Sequence, residues 1–279
     1  MTRRTVSRGL VLAAGVLAAA PVESRAPQAA RGLSGFDLDR AAEHWRLPRR
    51  LREISGLALT ADGRLLAHHD EAAVVFELDL RTGAVVKEFQ LAGVGGPVRD
   101  DFEGIAAAEE RLYLITSDGR LYEFREGAAG ESVLFTMYAT GAGRRCEIEG
   151  LAHDPGRRAL LLVCKQSRGD TPEDRLEIHV WPLERRRLDD AARIVLDAGE
   201  LATPLGERGF HPSGIELHPE SGHYFVVAAR QRLRSEKGVG GRTALEFLPV
   251  RLTTSRCTTD RPTRRNLRYR PPKPVIAIP

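Results

Sequence analysis

Four copies of a short motif constrain the fold of this chain more than any other feature of its sequence. Each copy has a polar pair, a glycine followed by Ile or Leu, a turn rich in Asp, Gly or Pro, and an apolar β-rich run. The copies begin "EISGLALTADG", "DFEGIAAAEE", "EIEGLAHDPG" and "HPSGIELHPE", and their anchor glycines are Gly56, Gly104, Gly150 and Gly214. Turn residues between two such runs predict a β-hairpin in each copy.

The spacing of the anchor glycines indicates how the hairpins are grouped. Successive glycines are 48, 46 and 64 residues apart, and further strand pairs such as "AVVFELDLRTGAVVKEFQL" lie between them. Each unit therefore holds about four strands in about 45 residues, which is typical of a β-propeller blade. A β-sandwich also has many strands but does not repeat an anchor at this period. We predict an all-β fold, a β-propeller with four-stranded antiparallel blades.

The charge of the chain is unevenly distributed. Of 279 residues, 42% are hydrophobic, which is enough for a sizeable core, and the formal net charge is +4. Residues 230–279 alone carry +10, from eleven Arg and two Lys against three acids, so residues 1–229 carry −6. Because the body is mildly acidic, we predict that it does not bind nucleic acid.

The amino-terminal residues are typical of a targeting segment. A basic start, "MTRRTVSRGL", leads into eleven apolar residues, Leu10 to Ala20, which is short for a membrane span. We predict a signal peptide or N-terminal anchor at 1–30, a linker at 31–50 and blades at 51–230. The protein is therefore expected to be periplasmic or secreted, or anchored in the inner membrane through its N-terminal segment.

The carboxyl-terminal residues 231–279 depart from the blade pattern. No fifth anchor glycine follows, strand alternation fades, and Arg, Thr and Pro accumulate. Two interpretations stay open: a basic, disordered tail that contacts an anionic surface, or a coding frame lost near Gln231. Since only four anchors are present, we predict an incomplete propeller.

Acidic residues recur next to the anchor glycines. One residue before the glycines stand Ser55, Glu103, Glu149 and Ser213, and three residues before them stand Glu53, Asp101, Glu147 and His211. Residues two apart on a strand share a face, and the first strand of a blade lines the propeller channel, so we expect these side chains to converge. Converging carboxylates repel unless a cation neutralises them, and oxygen ligands suit Ca²⁺. The predicted Ca²⁺ ligands are Glu53, Asp70, Asp101, Glu103, Glu147 and Glu149.

Other interpretations of these and neighbouring residues stay open. The acids can also pair with arginines or face water, and we expect His68, His69 and Lys165 at the surface. Cys146 and Cys164 flank a hairpin whose three-residue loop would place them directly across from each other, either as a disulfide or as two buried thiols. No Cys/His cluster has zinc-site spacing along the sequence.

Together the motifs resemble the SdiA-regulated protein family, exported β-propellers related to phytase-like and esterase-like propeller domains. The matching segments, between Glu53 and Ala229, are "EISGLAL", "HHDEAAVVFELDLRTG", "DDFEGIA", "CEIEGLAHDP" and "HPSGIELHPESGHYFVVA". The resemblance implies a six-bladed propeller that is often calcium-associated. Glu103 and Glu149 match the acidic motif positions, and the first and fourth copies carry Ser there instead.

Two functions are compatible with this pattern. The first is a non-catalytic, calcium-stabilised module that binds an unidentified small ligand or protein on its loop face. The second is a Ca²⁺-dependent phosphoester hydrolase of the phytase-like type, with Lys165, Arg144 and Arg145 as phosphate ligands. A serine hydrolase is not favoured, because no G-x-S-x-G motif is present. We favour the binding module, because fold resemblance is a poor guide to reaction.

Overall fold

The computed structural model describes part of the chain. It covers Trp45 and residues 47–168, 175–197, 211–218 and 222–229, together with the backbone of Leu245–Val250. The predicted segment at 1–30, most of the linker at 31–50 and most of the tail at 231–279 lie outside these residues. Within the described part, no helix is both long and apolar enough to cross a membrane.

Four antiparallel sheets follow one another along the chain, and we call them blades one to four. Blade one contains β1 (Ile54–Leu59), β2 (Leu65–His69), β3 (Val74–Leu78) and β4 (Val85–Gly93), with short β5 (Gly96–Pro97) paired to β4. Blade two contains β6 (Phe102–Ala108), β7 (Arg111–Thr116), β8 (Arg120–Phe124) and β10 (Phe135–Ala139), and the intervening β9 (Ser132–Val133) pairs in parallel with β4.

The third and fourth sheets continue this pattern. Blade three contains β11 (Cys146–Asp154), β12 (Ala159–Ser167), β13 (Arg175–Pro182) and β14 (Ile194–Asp197). Blade four contains β15 (Pro212–Leu217), β16 (Tyr224–Ala229) and β17 (Leu245–Val250). The third strand of blade four, β17, thus lies beyond residue 230, which we predicted to be the end of the blades. The boundary between the blades and the tail remains a prediction.

The first strands of the blades lie side by side, which gives the arrangement of a propeller. β1 contacts β6, β6 contacts β11, and β11 contacts β15. The prediction of an all-β propeller with four-stranded antiparallel blades is therefore confirmed. Among the described residues, no strand of blade four pairs with blade one, so the ring is not closed.

The hydrophobic core consists of layers between neighbouring blades. Phe89, Phe102 and Phe124 belong to the layer between blades one and two. A second cluster separates blades two and three, and a third separates blades three and four. On the remaining face of blade one, Leu47 and Leu51 pack over β2 and β3. Burial of these layers is what holds successive sheets face to face.

The anchor glycines lie where neighbouring inner strands approach most closely. A Cβ added to Gly104 would lie 2.7 Å from the backbone nitrogen of Leu151, and one added to Gly150 would lie 3.0 Å from the Cα of Gly214. Gly56 faces the Cα of Gly104 in the same way, at 3.4 Å. A side chain at these positions would push the blades apart, which explains why glycine recurs.

Candidate functional site

A β-bulge sets the direction of the residue before each anchor glycine. In β1 the pairing register shifts between Ile54 and Gly56, which leaves Ser55 as an extra residue. The same shift makes Glu103 and Ser213 extra residues in β6 and β15, and the register of β11 shifts across its motif as well. Bulges re-aim side chains and break simple alternation. Simple alternation therefore does not describe these strands throughout, although Glu147 and Glu149 of β11 do approach the same ammonium, that of Lys165.

The bulged residues of neighbouring blades meet in one polar cluster. The hydroxyl of Ser55 donates a hydrogen bond to Oε2 of Glu103 across 3.0 Å, from blade one to blade two. On blade three, the ammonium of Lys165 forms an ion pair with Glu149 and lies 3.3 Å from Oε1 of Glu147. We call these five residues the acidic mouth, because they lie where the inner strands begin.

Negative charge is in excess in the acidic mouth. The pKa of Glu103 is raised to about 7, first by burial and then by the charges of Glu149 and Asp101, while the hydrogen bond from Ser55 and the charge of Lys165 oppose the rise. Burial also raises the pKa of Glu149, and the ion pair with Lys165 opposes that rise. Three carboxylates thus share one ammonium, which is an arrangement that attracts a further cation.

Lys165 is a member of the site that sequence reasoning missed. We expected it at a solvated strand end, but its ammonium lies against two carboxylates of β11. Burial lowers the pKa of Lys165, and the pairing with Glu149 and Glu147 outweighs this and raises it. The strand pairing of β12 with β11 brings the residues together, and a correct register between the two strands would have predicted the contact.

The remaining predicted ligands lie outside the acidic mouth. Asp101 is exposed, and its carboxylate accepts a hydrogen bond from Ser117. Glu53 and Asp70 join His69 instead, with His69 Nε2 3.7 Å from Glu53 and Nδ1 3.0 Å from Asp70. Ligand atoms of these three residues lie within 4.8 Å of one another on the surface. The structure therefore places three of the six predicted ligands in the acidic mouth, two beside His69, and Asp101 apart from both groups.

His68 is fully buried, so its expected position at the surface was wrong. Its Nδ1 lies 3.0 Å from the carbonyl oxygen of His69, and its Nε2 has no hydrogen-bond partner among the described residues. Burial lowers the pKa of His68 to about 4. The imidazole covers Gly56, where an added Cβ would lie 2.7 Å from Nε2.

The cysteine pair on blade three forms a disulfide. Cys146 and Cys164 are bonded, with their Cα atoms 5.6 Å apart. They are not directly opposite as expected, because Cys146 faces Ser167 and Cys164 faces Ile148, and four residues rather than three separate the two strands. The bond therefore runs diagonally across the hairpin. His179, on the next strand, lies beside it, a contact that sequence spacing did not indicate.

The residues considered as phosphate ligands are largely engaged elsewhere. Lys165 is paired within the acidic mouth, and Nη2 of Arg145 lies 3.0 Å from Oδ2 of Asp190. Arg144 is exposed. Two of the three cations are thus already neutralised by acids of this chain.

A separate cavity lies at the opposite ends of the inner strands. It has a volume of about 990 Å³ and is lined by the turns that follow β1 and β6, among them residues 58–64 and 109–112, and by His153. Glu110 of this rim pairs with Arg125 across 3.7 Å. Glu110 has the same charge as Glu103 but lies at the far end of the β6 hairpin. A substitution of Glu110 is therefore a matched control for a substitution of Glu103.

The four sheets and their inner-strand site define a β-propeller. No protein-family model and no curated protein matches the chain. Among solved structures it is similar to Myxococcus xanthus glutaminyl cyclase, with a TM-score of 0.32 and 16% identity over 63% of this chain and 85% of that one.

Two further similar structures are propeller domains. The Dos1 propeller gives a TM-score of 0.36 with 12% identity, over 71% of this chain and 46% of that one. The Myceliophteria thermophila Cps50 (Swd1) β-propeller domain gives a TM-score of 0.36 with 12% identity, over 70% of this chain and 57% of that one. The chain therefore spans about half the length of these two structures. At such scores none of the likenesses bears on what this chain does.

Proposed function

We propose that this protein is an exported β-propeller of the SdiA-regulated type that acts as a binding module, with a Ca²⁺-associated site at the acidic mouth. One observation supports this above the others. The carboxylates of Glu103 and Glu149, which come from neighbouring blades, lie close enough that the charge of one raises the pKa of the other. Among the described residues this pair shares Lys165 as its one cation, so it favours the binding of an ion of higher positive charge.

The chemistry of the donor set fits Ca²⁺. Glu103, Glu147 and Glu149 offer carboxylate oxygens, and Ser55 offers a hydroxyl, whereas Ca²⁺ takes six to eight oxygen ligands in flexible geometry. Water and a partner would complete the set. A divalent ion would compete with Lys165 for Glu149, since both neutralise the same carboxylate. In this proposal the ion holds blades two and three together and presents positive charge to a polar small ligand or protein at the loop face.

The phosphoester hydrolase is the weaker alternative. A phosphate site needs cations that are free to bind the substrate, and Lys165 and Arg145 are already paired with Glu149 and Asp190. We therefore expect no hydrolysis of p-nitrophenyl phosphate or phytate in the presence of Ca²⁺. Calcium-dependent turnover that EGTA abolishes and Glu103→Gln removes would reverse this preference.

Calorimetric titration with Ca²⁺, together with the melting temperature, tests the proposed site. We expect Ca²⁺ to bind and to raise the melting temperature, and Glu103→Gln to weaken binding at least about tenfold, or about 1.4 kcal/mol. Glu110→Gln should leave binding unchanged. Absence of binding, or equal effects of the two variants, would contradict the proposal.

A second pair of variants tests the competition with Lys165. Lys165→Met should tighten Ca²⁺ binding while lowering stability without Ca²⁺, because Glu149 then lacks a cation. Lys87→Met is the matched control, since Lys87 also pairs with two carboxylates, those of Glu77 and Glu126 in a different part of the fold. It should leave the Ca²⁺ affinity unchanged. Weaker Ca²⁺ binding in Lys165→Met would argue that Lys165 supports the site rather than competes for it.

A further inference from the structure

Three side chains of types that bind metals meet in the core of the propeller, and two of them, Cys146 and Cys164, directly precede the acidic-mouth residues Glu147 and Lys165 in the sequence. Cys146 on β11, Cys164 on β12 and His179 on β13 are each at most 3% exposed. One ligand atom from each lies within 4.8 Å of the other two. Both cysteines belong to the apolar layer between blades two and three, which also contains Trp181. Water is therefore largely kept from this cluster.

His179 gives an independent indication that the cluster is a binding site. Its Nε2 is buried and has no hydrogen-bond partner among the described residues. Oε1 of Glu177 lies 3.6 Å from this nitrogen, and that distance is too long for a hydrogen bond. A buried polar nitrogen without a partner costs free energy, so its retention needs a reason. A metal ion provides one.

We propose that Cys146, Cys164 and His179 form a thiol-dependent site for Zn²⁺ and that their disulfide is its metal-free form. Zinc is bound by thiolate and imidazole, at about 2.3 Å from sulfur and about 2.0 Å from nitrogen. Those bond lengths place the ligand atoms of a tetrahedral site roughly 3.5 Å apart, so the cluster needs only a small adjustment. These three side chains would supply three of the four ligands. Glu177, whose Oε1 lies 3.6 Å from the imidazole nitrogen and accepts a hydrogen bond from Arg193 at 2.8 Å, is not part of the cluster.

The electrostatics of the pocket suit this composition. Two thiolates and one Zn²⁺ have no net charge, so their complex tolerates burial that would penalise isolated ions. Burial lowers the pKa of His179, and the guanidinium groups of Arg145 and Arg193 lower it further, against the effects of Glu177 and Asp190. A lowered pKa favours the neutral imidazole, which is the form that binds metal.

The exchange between the two forms balances as a two-electron reaction. A dithiol reductant passes two electrons and two protons to the Cys146–Cys164 bond and is itself oxidised to a disulfide. Zn²⁺ then displaces the two thiol protons and binds the thiolates. A disulfide oxidant then accepts two electrons from the two thiolates and is reduced to two thiolates, which re-forms the Cys146–Cys164 bond and releases Zn²⁺. Metal binding at this site would therefore depend on the thiol redox state, with Zn²⁺ bound when the two cysteines are reduced and released when they are oxidised.

Co²⁺ substitution in the full chain tests the proposal. Cys257→Ser removes the third cysteine, so any thiolate–cobalt absorption comes from Cys146 and Cys164. The protein is reduced with a phosphine, freed of the reductant without air, and titrated with Co²⁺. We expect one equivalent bound with a thiolate-to-cobalt band that Zn²⁺ abolishes, and no band in the oxidised protein. Absence of the band after reduction, or its presence in both forms, would overturn the proposal.

Histidine variants separate binding from folding. In the Cys257→Ser background, His179→Gln should weaken Co²⁺ binding at least about tenfold, whereas His153→Gln, on β11, should not. If reduction lowers the melting temperature, Zn²⁺ should restore it in the parent but not in His179→Gln. Equal affinities of the two histidine variants, or failure of Zn²⁺ to restore the reduced parent, would count against the site. Since Glu103→Gln acts elsewhere, it should leave the cobalt band intact, which separates this test from that of the proposed Ca²⁺ site.

Discussion

His68 stands in blade one where the other blades have an aliphatic residue. It lies opposite Gly56, just as Ile115 lies opposite Gly104 and Val227 opposite Gly214. Burial lowers the pKa of its ring to about 4, although the hydrogen bond to the His69 carbonyl and the charge of Asp70 oppose that shift. For packing alone, an aliphatic side chain would fill this position. Because the residue is an ionisable histidine instead, the stability of this blade is sensitive to acid.

We predict that His68→Val makes the stability less dependent on pH in acid. The folded-state pKa of His68 is below the usual 6.5, so between about pH 6.5 and pH 4 the unfolded chain binds a proton that the folded chain does not. The free energy of unfolding should therefore fall as the pH is lowered through this window, by up to about 3 kcal/mol. Urea unfolding at several pH values measures this. Parallel curves for parent and variant would contradict the assignment.

At the scale of single elements, the inner strands combine a close backbone approach with a bulge. The anchor glycine permits the approach, and the bulge directs the preceding side chain toward the next blade. Gly214 differs from the other anchors, because an added Cβ there meets no atom within 4 Å. Among the described residues, no further blade lies beside β15 on this side.

We predict opposite outcomes for the same substitution at two copies of the motif. Gly104→Ala should destabilise the protein by about 1–3 kcal/mol, since the new methyl group would lie 2.7 Å from the backbone of Leu151. Gly214→Ala should be tolerated within about 0.5 kcal/mol. Denaturant unfolding of both variants measures the difference. Similar losses in both would show that the glycines serve something other than close approach.

The sequence revealed the strands more readily than the site. Repeated glycines and turn residues predict hairpins and their period, and both depend on local backbone chemistry. The positions of Lys165 and His179 depend instead on the register between strands, which a single bulge displaces by one residue. Alternation likewise misplaced the side chains of Glu53 and Asp101, because it assumes a regular strand. His68 was missed because a polar residue near a strand end was expected to face solvent, whereas its ring lies over Gly56 of the adjacent strand.

At the scale of the whole molecule, the blades differ in how many neighbours they have. Blades two and three each pack between two others, whereas blade one is covered on its outer face by Leu47 and Leu51, and Leu57 and Leu59 remain exposed on β1. Blade four has blade three on one face and, in the described residues, no blade on the other. Stability in such a stack is therefore expected to vary from blade to blade.

We predict that hydrogen exchange follows this order. Amides of β6, β7, β11 and β12 should exchange at least about tenfold more slowly than those of β15 and β16, a difference of about 1.4 kcal/mol in local opening. Exchange measured by mass spectrometry on the full chain provides the comparison. Uniform protection across all four blades would instead indicate a single cooperative unit closed by residues outside the described part.

The bulge before each anchor glycine has a consequence for how such a protein can change. The bulge is formed by the backbone, so the side chain on it contributes little to the pairing of the sheet and is free to differ, as Ser55 and Glu103 do. Blades one to three thus each contribute one exchangeable side chain, Ser55, Glu103 and Glu149, to the acidic mouth. A new ligand preference can arise there by single substitutions, one blade at a time, without redesigning the scaffold that holds them.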